Sequence, residues 1–215
     1  MHKKGILFDF DGVIVKSMEQ HFAAWQKAFA ELNVHISPEE FFILEGQGVR
    51  IISTLLGKKH GLDESAIERI MERKMNYYNQ FMRVEFYPHF DELLDFVIKK
   101  DLPRGIVTGG NRERVSGIVE QYFNGKFSCL VSVDDVQRGK PHPDPFLKGA
   151  ELLGLKAQEC IVIENAPLGI EGSLKAGMTV IGVTTTLDRK HLRQAHYIAD
   201  DFRQVKKIVE NLTAI

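Results

Sequence analysis

The chain has 215 residues, of which 44% are hydrophobic and 27% charged, and its formal net charge is -1. This length allows one or two domains with a sizeable core, and no lysine- or arginine-rich block suggests a nucleic-acid surface. No apolar run approaches the roughly 20 residues of a membrane span, and the apolar stretch near the N-terminus meets Asp9 too early for a secretory signal. Cys129 and Cys160 lie in separate apolar runs, which favours free thiols. We therefore expect a cytoplasmic protein with neither a membrane nor a nucleic-acid partner.

The first predicted element is a buried strand at about residues 5–10, which runs into Asp9, Asp11 and Gly12. Residues two apart in a strand point the same way, so both carboxylates leave the strand end in one direction. Burying two like charges in a core is costly, so we expect them to face a cleft. There they could bind a divalent cation, or one could attack an electrophile while the other moves a proton. A solvated Asp-Gly turn is the alternative.

The segment from Val15 to Arg83 predicts helices and no convincing strand. Ser17 is the predicted N-cap of the first helix, and Ser37-Pro38 predicts the start of another. Helical periodicity continues over residues 49–56 and 65–81. An aromatic stripe in this segment is expected to form its core (Phe22, Trp25, Phe29). A group of basic residues is expected to form a solvated helix face (Arg69, Arg73, Lys74).

After Tyr87-Pro88 short apolar runs alternate with helical segments, which indicates βαβ units and a parallel sheet. The predicted strands cover residues 105–108, 130–133, 160–163 and 179–183, with a weaker one at 196–199. Ligands of open α/β sheets bind outside the carboxyl ends of the strands. The polar residues at these ends are therefore expected to form a ring on one side of the sheet, namely Asp9, Asp11, Thr108, Asn111, Asp134, Asp135, Glu164 and Asn165.

Three segments at or near these strand ends suggest a chemical role, and each also has an ordinary structural explanation. Thr108-Gly109-Gly110 precedes a helix, where backbone N–H groups attract anions, although a plain turn fits equally. Lys140 lies in a proline-rich, stiff loop and suits a phosphate or a buried carboxylate, unless it is a solvated loop lysine. Glu164 and Asn165 offer oxygen ligands to a hard cation, but Asn165 could simply cap the next helix.

Taken together and in this order, the motifs resemble those of the haloacid dehalogenase superfamily of phosphotransferases, in the subgroup of β-phosphoglucomutase and small sugar-phosphate phosphatases. Asp9-Phe10-Asp11-Gly12-Val13 is similar to the first family motif, Thr108 to the second, Lys140 to the third and Glu164-Asn165 to the fourth. The resemblance implies an α/β fold: a Rossmann-like parallel core made of residues 1–15 and 85–215, with a helical cap domain inserted at residues 16–84.

The resemblance also implies roles. Asp9 would be the nucleophile that forms an aspartyl-phosphate, and Asp11 would be the general acid and base. Thr108, Gly109 and Lys140 would hold the phosphoryl group. Mg²⁺ would be bound by acidic and amide oxygens of the strand ends, namely Asp9, the carbonyl of Asp11, Glu164 and Asn165.

The implied function is magnesium-dependent hydrolysis of a small phosphorylated metabolite, a sugar phosphate, by a monomer. A phosphomutase of the β-phosphoglucomutase type is the main alternative, and a phosphonatase or a non-catalytic binding protein ranks lower. In the cap, His21, Gln47 and Arg50 are the candidate substrate-specificity residues.

Two positions depart from the family pattern. Asn165 stands where aspartate is usual, so the site keeps an oxygen ligand but loses a charge, which predicts weaker binding of Mg²⁺. Lys16 stands where an acidic residue is common, at the junction with the inserted segment.

Overall fold

The computed structural model describes residues 4–214 of the chain. Within this range the sheet strands are β1 (Gly5–Phe8), β2 (Arg104–Val107), β3 (Cys129–Val131), β4 (Cys160–Glu164), β5 (Thr179–Val183) and β6 (Tyr197–Ala199). All pair in parallel in the order β3-β2-β1-β4-β5-β6. The predicted α/β class and parallel sheet are confirmed. Because β1 is central, with Phe8 in register with Ile106 and Ile163, the residues that follow it lie at the middle of the carboxyl edge.

The segment between β1 and β2 is helical, as predicted. It contains α1 (Met18–Ala30), α2 (Pro38–Phe42), α3 (Val49–Lys59) and α4 (Glu64–Phe81). These helices pack around a core of their own, which contains Trp25, Phe29 and Phe41. Ser37 forms a capping box at the start of α2. The segments that lead into and out of these helices lie side by side, because Val15 and Phe86 form an antiparallel β-bridge. The assignment of residues 16–84 to a separate cap domain stays a prediction; these helices are called the cap below.

The remaining helices cover both faces of the sheet: α5 (Phe90–Lys99), α6 (Arg112–Phe123), α7 (Asp144–Leu152), α8 (Pro167–Lys175) and α9 (Phe202–Thr213). One core includes Phe8 and Ile163 with Phe90 of α5 and Phe202 of α9. The opposite core includes Leu7 with Phe146 of α7. Burial of alternate strand residues on opposite faces explains why the strands read as uninterrupted apolar runs.

Several local predictions need correction. Ser17 is the N-cap residue of α1, as predicted, but its hydroxyl donates to Asp11 and accepts no capping hydrogen bond. Lys74 is not on a solvated face: it is 1% exposed. Asp134 and Asp135 do not join the ring of site residues, since both are exposed and accept from Arg112, Asp134 from its backbone N–H and Asp135 from its guanidinium. The N-cap of α8 is Ala166, so Asn165 does not have that role.

Both cysteines are free, with Cys160 buried and Cys129 partly buried. Among residues 4–214, no helix combines the length and apolarity required to cross a bilayer.

Candidate active site

A cavity of about 530 Å³ lies where the carboxyl edge of the sheet meets the cap. The core side includes Asp9, Asp11, Thr108, Gly109 and Arg114. The cap side includes residues of all four cap helices and of the loop before α3, among them His21, Trp25, Glu45, Gln47, Lys74 and Tyr78. The sheet topology explains the core side, because β1 and β2 are neighbours and both end at this edge. The cavity therefore joins the predicted catalytic strand ends to the helical insertion.

Asp9 is buried and paired with Lys140. The Nζ of Lys140 donates to Asp9 Oδ1 at 2.7 Å and to Glu164 Oε1 at 2.6 Å. Glu164 Oε2 accepts the N–H groups of residues 165 and 166. Gly169 permits this packing, since a Cβ at that position would lie 1.7 Å from Glu164 Oε1. Glu164 Oε1 thus accepts from Lys140, and Glu164 Oε2 is held by the backbone. No contact supports the predicted role of Glu164 as a direct metal ligand.

Burial raises the pKa of Asp9 to about 7, although the neighbouring Lys140 charge opposes the shift. Burial alone would lower the pKa of Lys140, but the charges of Asp9 and Glu164 raise it instead. Lys140 is therefore a permanent cation. Among the described residues, no group donates a hydrogen bond to Asp9 Oδ2. Because the Asp9 side chain lines the cavity, Oδ2 is available to a bound molecule.

Asp11 is held by Arg114 of α6. The two guanidinium nitrogens donate to the two carboxylate oxygens, with the Arg114 Nη1 to Asp11 Oδ1 distance at 3.0 Å. The Ser17 hydroxyl donates to Oδ1 at 2.5 Å, and His21 Nε2 lies 3.5 Å from the same oxygen. Burial would raise the pKa of Asp11, but Arg114 and His21 together hold it well below its ordinary value. Asp11 is therefore an ionised acceptor here.

His21 and Lys74 form a second layer behind Asp11. Lys74 Nζ lies 3.0 Å from His21 Nδ1, and the His21 ring stacks on Tyr78 with 4.0 Å between centroids. Burial and the Lys74 charge lower the pKa of His21 to about 3, so its ring is neutral. Burial, followed by the Arg114 charge, lowers the pKa of Lys74 to about 7. His21 thus connects a buried amine of α4 to the carboxylate of Asp11.

Asn165 contacts a glutamate from the cap. Its Nδ2 donates to Glu45 Oε2 at 2.5 Å and to Thr186 Oγ1 at 3.0 Å. Glu45 is only 2% exposed, and burial, reinforced by Glu164 and Asp9, raises its pKa well above the ordinary value. Two buried oxygens, Asn165 Oδ1 and Glu45 Oε1, have no hydrogen-bond partner among the described residues.

These two oxygens provide a test of whether the site suits Mg²⁺. Buried polar atoms without partners are rare and often mark a missing ion or water. The site is also rich in acidic groups, because Asp9 and Glu164 share one cation, Lys140, while buried Glu45 has no ion-pair partner among the described residues. A hard divalent cation that takes oxygen ligands would satisfy both conditions. The residues present therefore fit Mg²⁺, and Glu45 would supply the charge that Asn165 lacks.

The other predicted residues are placed as follows. Thr108 is buried, with its Oγ1 accepting the Gly110 N–H at 2.9 Å. Gly109 lies against the cap, since a Cβ there would approach the carbonyl oxygen of Gly46 to 2.2 Å. Gln47 lines the cavity with an unpartnered buried Oε1. Arg50 is exposed and outside the cavity lining, so its specificity role stays a prediction without a supporting contact.

The sequence reasoning gave no site role to Arg114, Lys74, Tyr78 and Glu45. One signal was available: the buried positions of α4 include Ile67, Ile70, Lys74 and Tyr78, spaced by three or four residues. This spacing places Lys74 on the inward face of the helix. Arg114 carries no such signal.

Comparison with known proteins places the site in a family. Residues 6–183 match the family described as haloacid dehalogenase-like hydrolase. Hexitol phosphatase A of Escherichia coli K12 is 31% identical over 217 residues, covering 95% of this chain and 94% of the relative. A phosphoglycolate phosphatase of Shigella boydii is 29% identical, covering 84% and 81%. The crystal structure of β-phosphoglucomutase from Clostridium difficile superposes with a TM-score of 0.80 at 25% identity, covering 98% and 96%.

Proposed function

This chain belongs to the haloacid dehalogenase-like hydrolase family, and on that premise we propose that it hydrolyses the phosphate monoester of a small metabolite, a sugar phosphate, through Asp9. The observation that carries the proposal is the state of Asp9, whose Oδ1 is held by Lys140 while Oδ2 is left available beside a cavity of metabolite size. The phosphatases among the relatives, which act on hexitol phosphates and phosphoglycolate by name, support the same reaction class.

The reaction has two steps. Asp9 Oδ2 attacks phosphorus and the bond from phosphorus to the leaving oxygen breaks. Asp11, which is ionised at rest and must first take up a proton from solvent, gives that proton to the leaving oxygen. Water then attacks the aspartyl-phosphate, passes a proton to Asp11, and releases phosphate with Asp9 regenerated. Lys140 and the Gly109 N–H stabilise charge on the phosphoryl oxygens, and the closed cap excludes bulk water.

The proposed metal ligands are Asp9, the Asp11 carbonyl, Asn165 Oδ1 and Glu45. When bound, Mg²⁺ neutralises charge between the nucleophile and the phosphoryl oxygens. The chain's own contribution is to orient the ligands: Glu45 and Thr186 both accept from Asn165 Nδ2, which turns Asn165 Oδ1 away from them as the free acceptor. Glu164 contributes indirectly through Lys140.

The proposal is tested by phosphate release from a panel of phosphorylated metabolites and from p-nitrophenyl phosphate, with Mg²⁺ and with EDTA. We expect turnover that requires Mg²⁺ and is abolished in Asp9→Asn, an isosteric change that removes the nucleophilic charge. Trapping of a phosphorylated protein after acid quench, absent in the same variant, would locate the intermediate. Turnover that survives in Asp9→Asn would overturn the assignment.

A phosphomutase is the second candidate, favoured by the likeness to β-phosphoglucomutase. It uses the same residues but returns the phosphoryl group to a sugar hydroxyl. Feeding β-glucose 1-phosphate with a trace of the 1,6-bisphosphate distinguishes the two: a phosphatase releases phosphate, whereas a mutase accumulates glucose 6-phosphate.

A further inference from the structure

The carboxylate of Asp11 is largely occupied by protein donors. Oδ2 accepts from one Arg114 nitrogen, and Oδ1 accepts from the other Arg114 nitrogen at 3.0 Å and from Ser17 at 2.5 Å. Three of its roughly four acceptor positions are therefore filled, and a leaving-group oxygen must compete with Arg114 and Ser17 for this carboxylate. A bidentate arginine–carboxylate pair is among the strongest polar contacts in proteins, so it is not displaced by water alone.

Arg114 itself lines the cavity, as does a second cation, Lys74. Their charged groups lie over the same ring, with the Arg114 Cζ 5.7 Å and the Lys74 Nζ 4.7 Å from the Tyr78 centroid. Among residues 4–214, no carboxylate lies within ion-pair distance of Lys74, whose polar partner is neutral His21. A 1% exposed amine without an anionic partner keeps its proton only partly near neutral pH, because burial lowers its pKa to about 7, and an anion in the cavity would hold it in the charged form.

We propose that Arg114 and Lys74 bind a second anionic group of the substrate, a carboxylate or a second phosphate, and that this group takes Arg114 from Asp11. The inference rests on the proposed function and adds the substrate class: phosphorylated acids or bisphosphates rather than neutral sugar phosphates. Arg114 is then a specificity residue that touches the substrate. Asp11 is released from Arg114 only when the correct substrate is bound.

Only an anion can make this exchange at low cost. A guanidinium that leaves a buried carboxylate needs an acceptor of equal charge, and its planar fork matches carboxylate and phosphate geometry. A sugar hydroxyl would leave both the arginine and Asp11 poorly compensated. The Lys74 ammonium, which lies near the same Tyr78 ring and lines the same cavity, adds a second charge for that anion.

The test uses two pairs of substrates that differ only in the second charge: 2-phosphoglycolate against 2-hydroxyethyl phosphate, and 6-phosphogluconate against glucitol 6-phosphate. In wild type we expect kcat/KM to favour the anionic member of at least one pair by about 10- to 100-fold, the range of one or two charge-assisted hydrogen bonds. In Arg114→Gln the ratio should fall towards one, because kcat/KM for the anionic member falls by a larger factor than that for the neutral member.

The ratio is taken within each variant, so partial unfolding does not affect it. Lys74→Met is the second variant, expected to lower the ratio without raising turnover of the neutral member. Arg112→Gln is the matched control on the same helix, since Arg112 pairs with exposed Asp135 and does not line the cavity. It should keep the wild-type ratio.

Wild type that shows no preference in either pair, or Arg114→Gln that lowers both members equally, would overturn the inference while leaving the phosphatase assignment intact. Absence of phosphate release from every substrate, including p-nitrophenyl phosphate, would instead contradict the proposed function. In that case the affinity of Asp9→Asn for each member of a pair, measured by calorimetry, still tests the inference. Equal affinities for the two members would reject it.

Discussion

The carboxylate Oε2 of Glu45 lies 2.5 Å from the amide Nδ2 of Asn165, which connects the cap to the end of β4. The bond orients the amide so that Asn165 Oδ1 has no partner among the described residues, as is also true of Glu45 Oε1. The sequence indicates a lost charge at Asn165. The tertiary contact brings a carboxylate from a different part of the chain to this residue.

We expect Glu45→Gln to lower the apparent affinity for Mg²⁺ by about 10- to 100-fold, as is typical when a group that supports a metal site is neutralised. The measurement is the rise in melting temperature with Mg²⁺ concentration, which does not depend on turnover. Glu39→Gln, an exposed glutamate of α2, is the control and should titrate like wild type. Unchanged affinity in Glu45→Gln would exclude Glu45 from the metal site.

Asn165→Asp is expected to reduce the free energy of unfolding by about 1–3 kcal/mol without metal, because it replaces a buried hydrogen bond with two facing carboxyl groups. Saturating Mg²⁺ should recover most of the loss. The double variant Glu45→Gln, Asn165→Asp restores a donor and an acceptor and should be close to wild type in urea unfolding. If the single variant is as stable as wild type in EDTA, the Glu45–Asn165 contact is not formed in solution.

Lys140→Met should reduce the free energy of unfolding by about 3–5 kcal/mol, since it leaves Asp9 and Glu164 buried without their cation. Phosphatase turnover should be lost as well. Urea unfolding and phosphate release provide the two measurements, with Lys148→Met, at a half-buried surface lysine, as the control for which little change is expected. A fully stable Lys140→Met protein would contradict the assigned ion pairs.

The low pKa of His21, about 3 against an ordinary 6.5, predicts a pH-dependent stability. Between these values the unfolded chain binds more protons at this residue than the folded one, so its contribution to stability is lost as the pH falls below 6.5. His21→Asn should therefore flatten the decline in unfolding free energy between pH 7 and 5. The exposed His35→Asn is the control, and an identical slope in wild type and His21→Asn would reject the prediction.

Gly109→Ala tests the contact between the cap and the sheet edge. A Cβ at residue 109 would lie 2.2 Å from the Gly46 carbonyl oxygen, a backbone atom that cannot move without shifting the cap. We expect KM to rise and kcat to fall, with a larger radius of gyration in solution scattering. Gly117→Ala on α6 meets nothing within 4 Å and should fold and turn over like wild type. If Gly109→Ala and Gly117→Ala behaved alike, the backbone at Gly46 of the cap would not lie against Gly109 in solution.

The sequence by itself determined the parallel sheet and the order of its polar strand ends. Asp9, Asp11 and Thr108 could be placed at one edge because the strands have local periodicity and the carboxyl ends of parallel strands meet there. Lys140 was singled out by its proline-rich loop, and the roles of all four came from the resemblance to the haloacid dehalogenase superfamily. The helical nature of the insertion and the burial of Trp25 followed from the same local patterns.

Only the tertiary structure decided the partners of those residues. Arg114 is 103 residues from Asp11, and Glu45 is 120 residues from Asn165, so neither pairing follows from local spacing. Each pair depends on how the cap helices and α6 dock against the sheet edge, which brings charges into a site where burial and neighbouring charges set their pKa values. The paired aspartates could be identified from sequence, but the arginine that holds Asp11 and the glutamate beside Asn165 could be identified only from the fold.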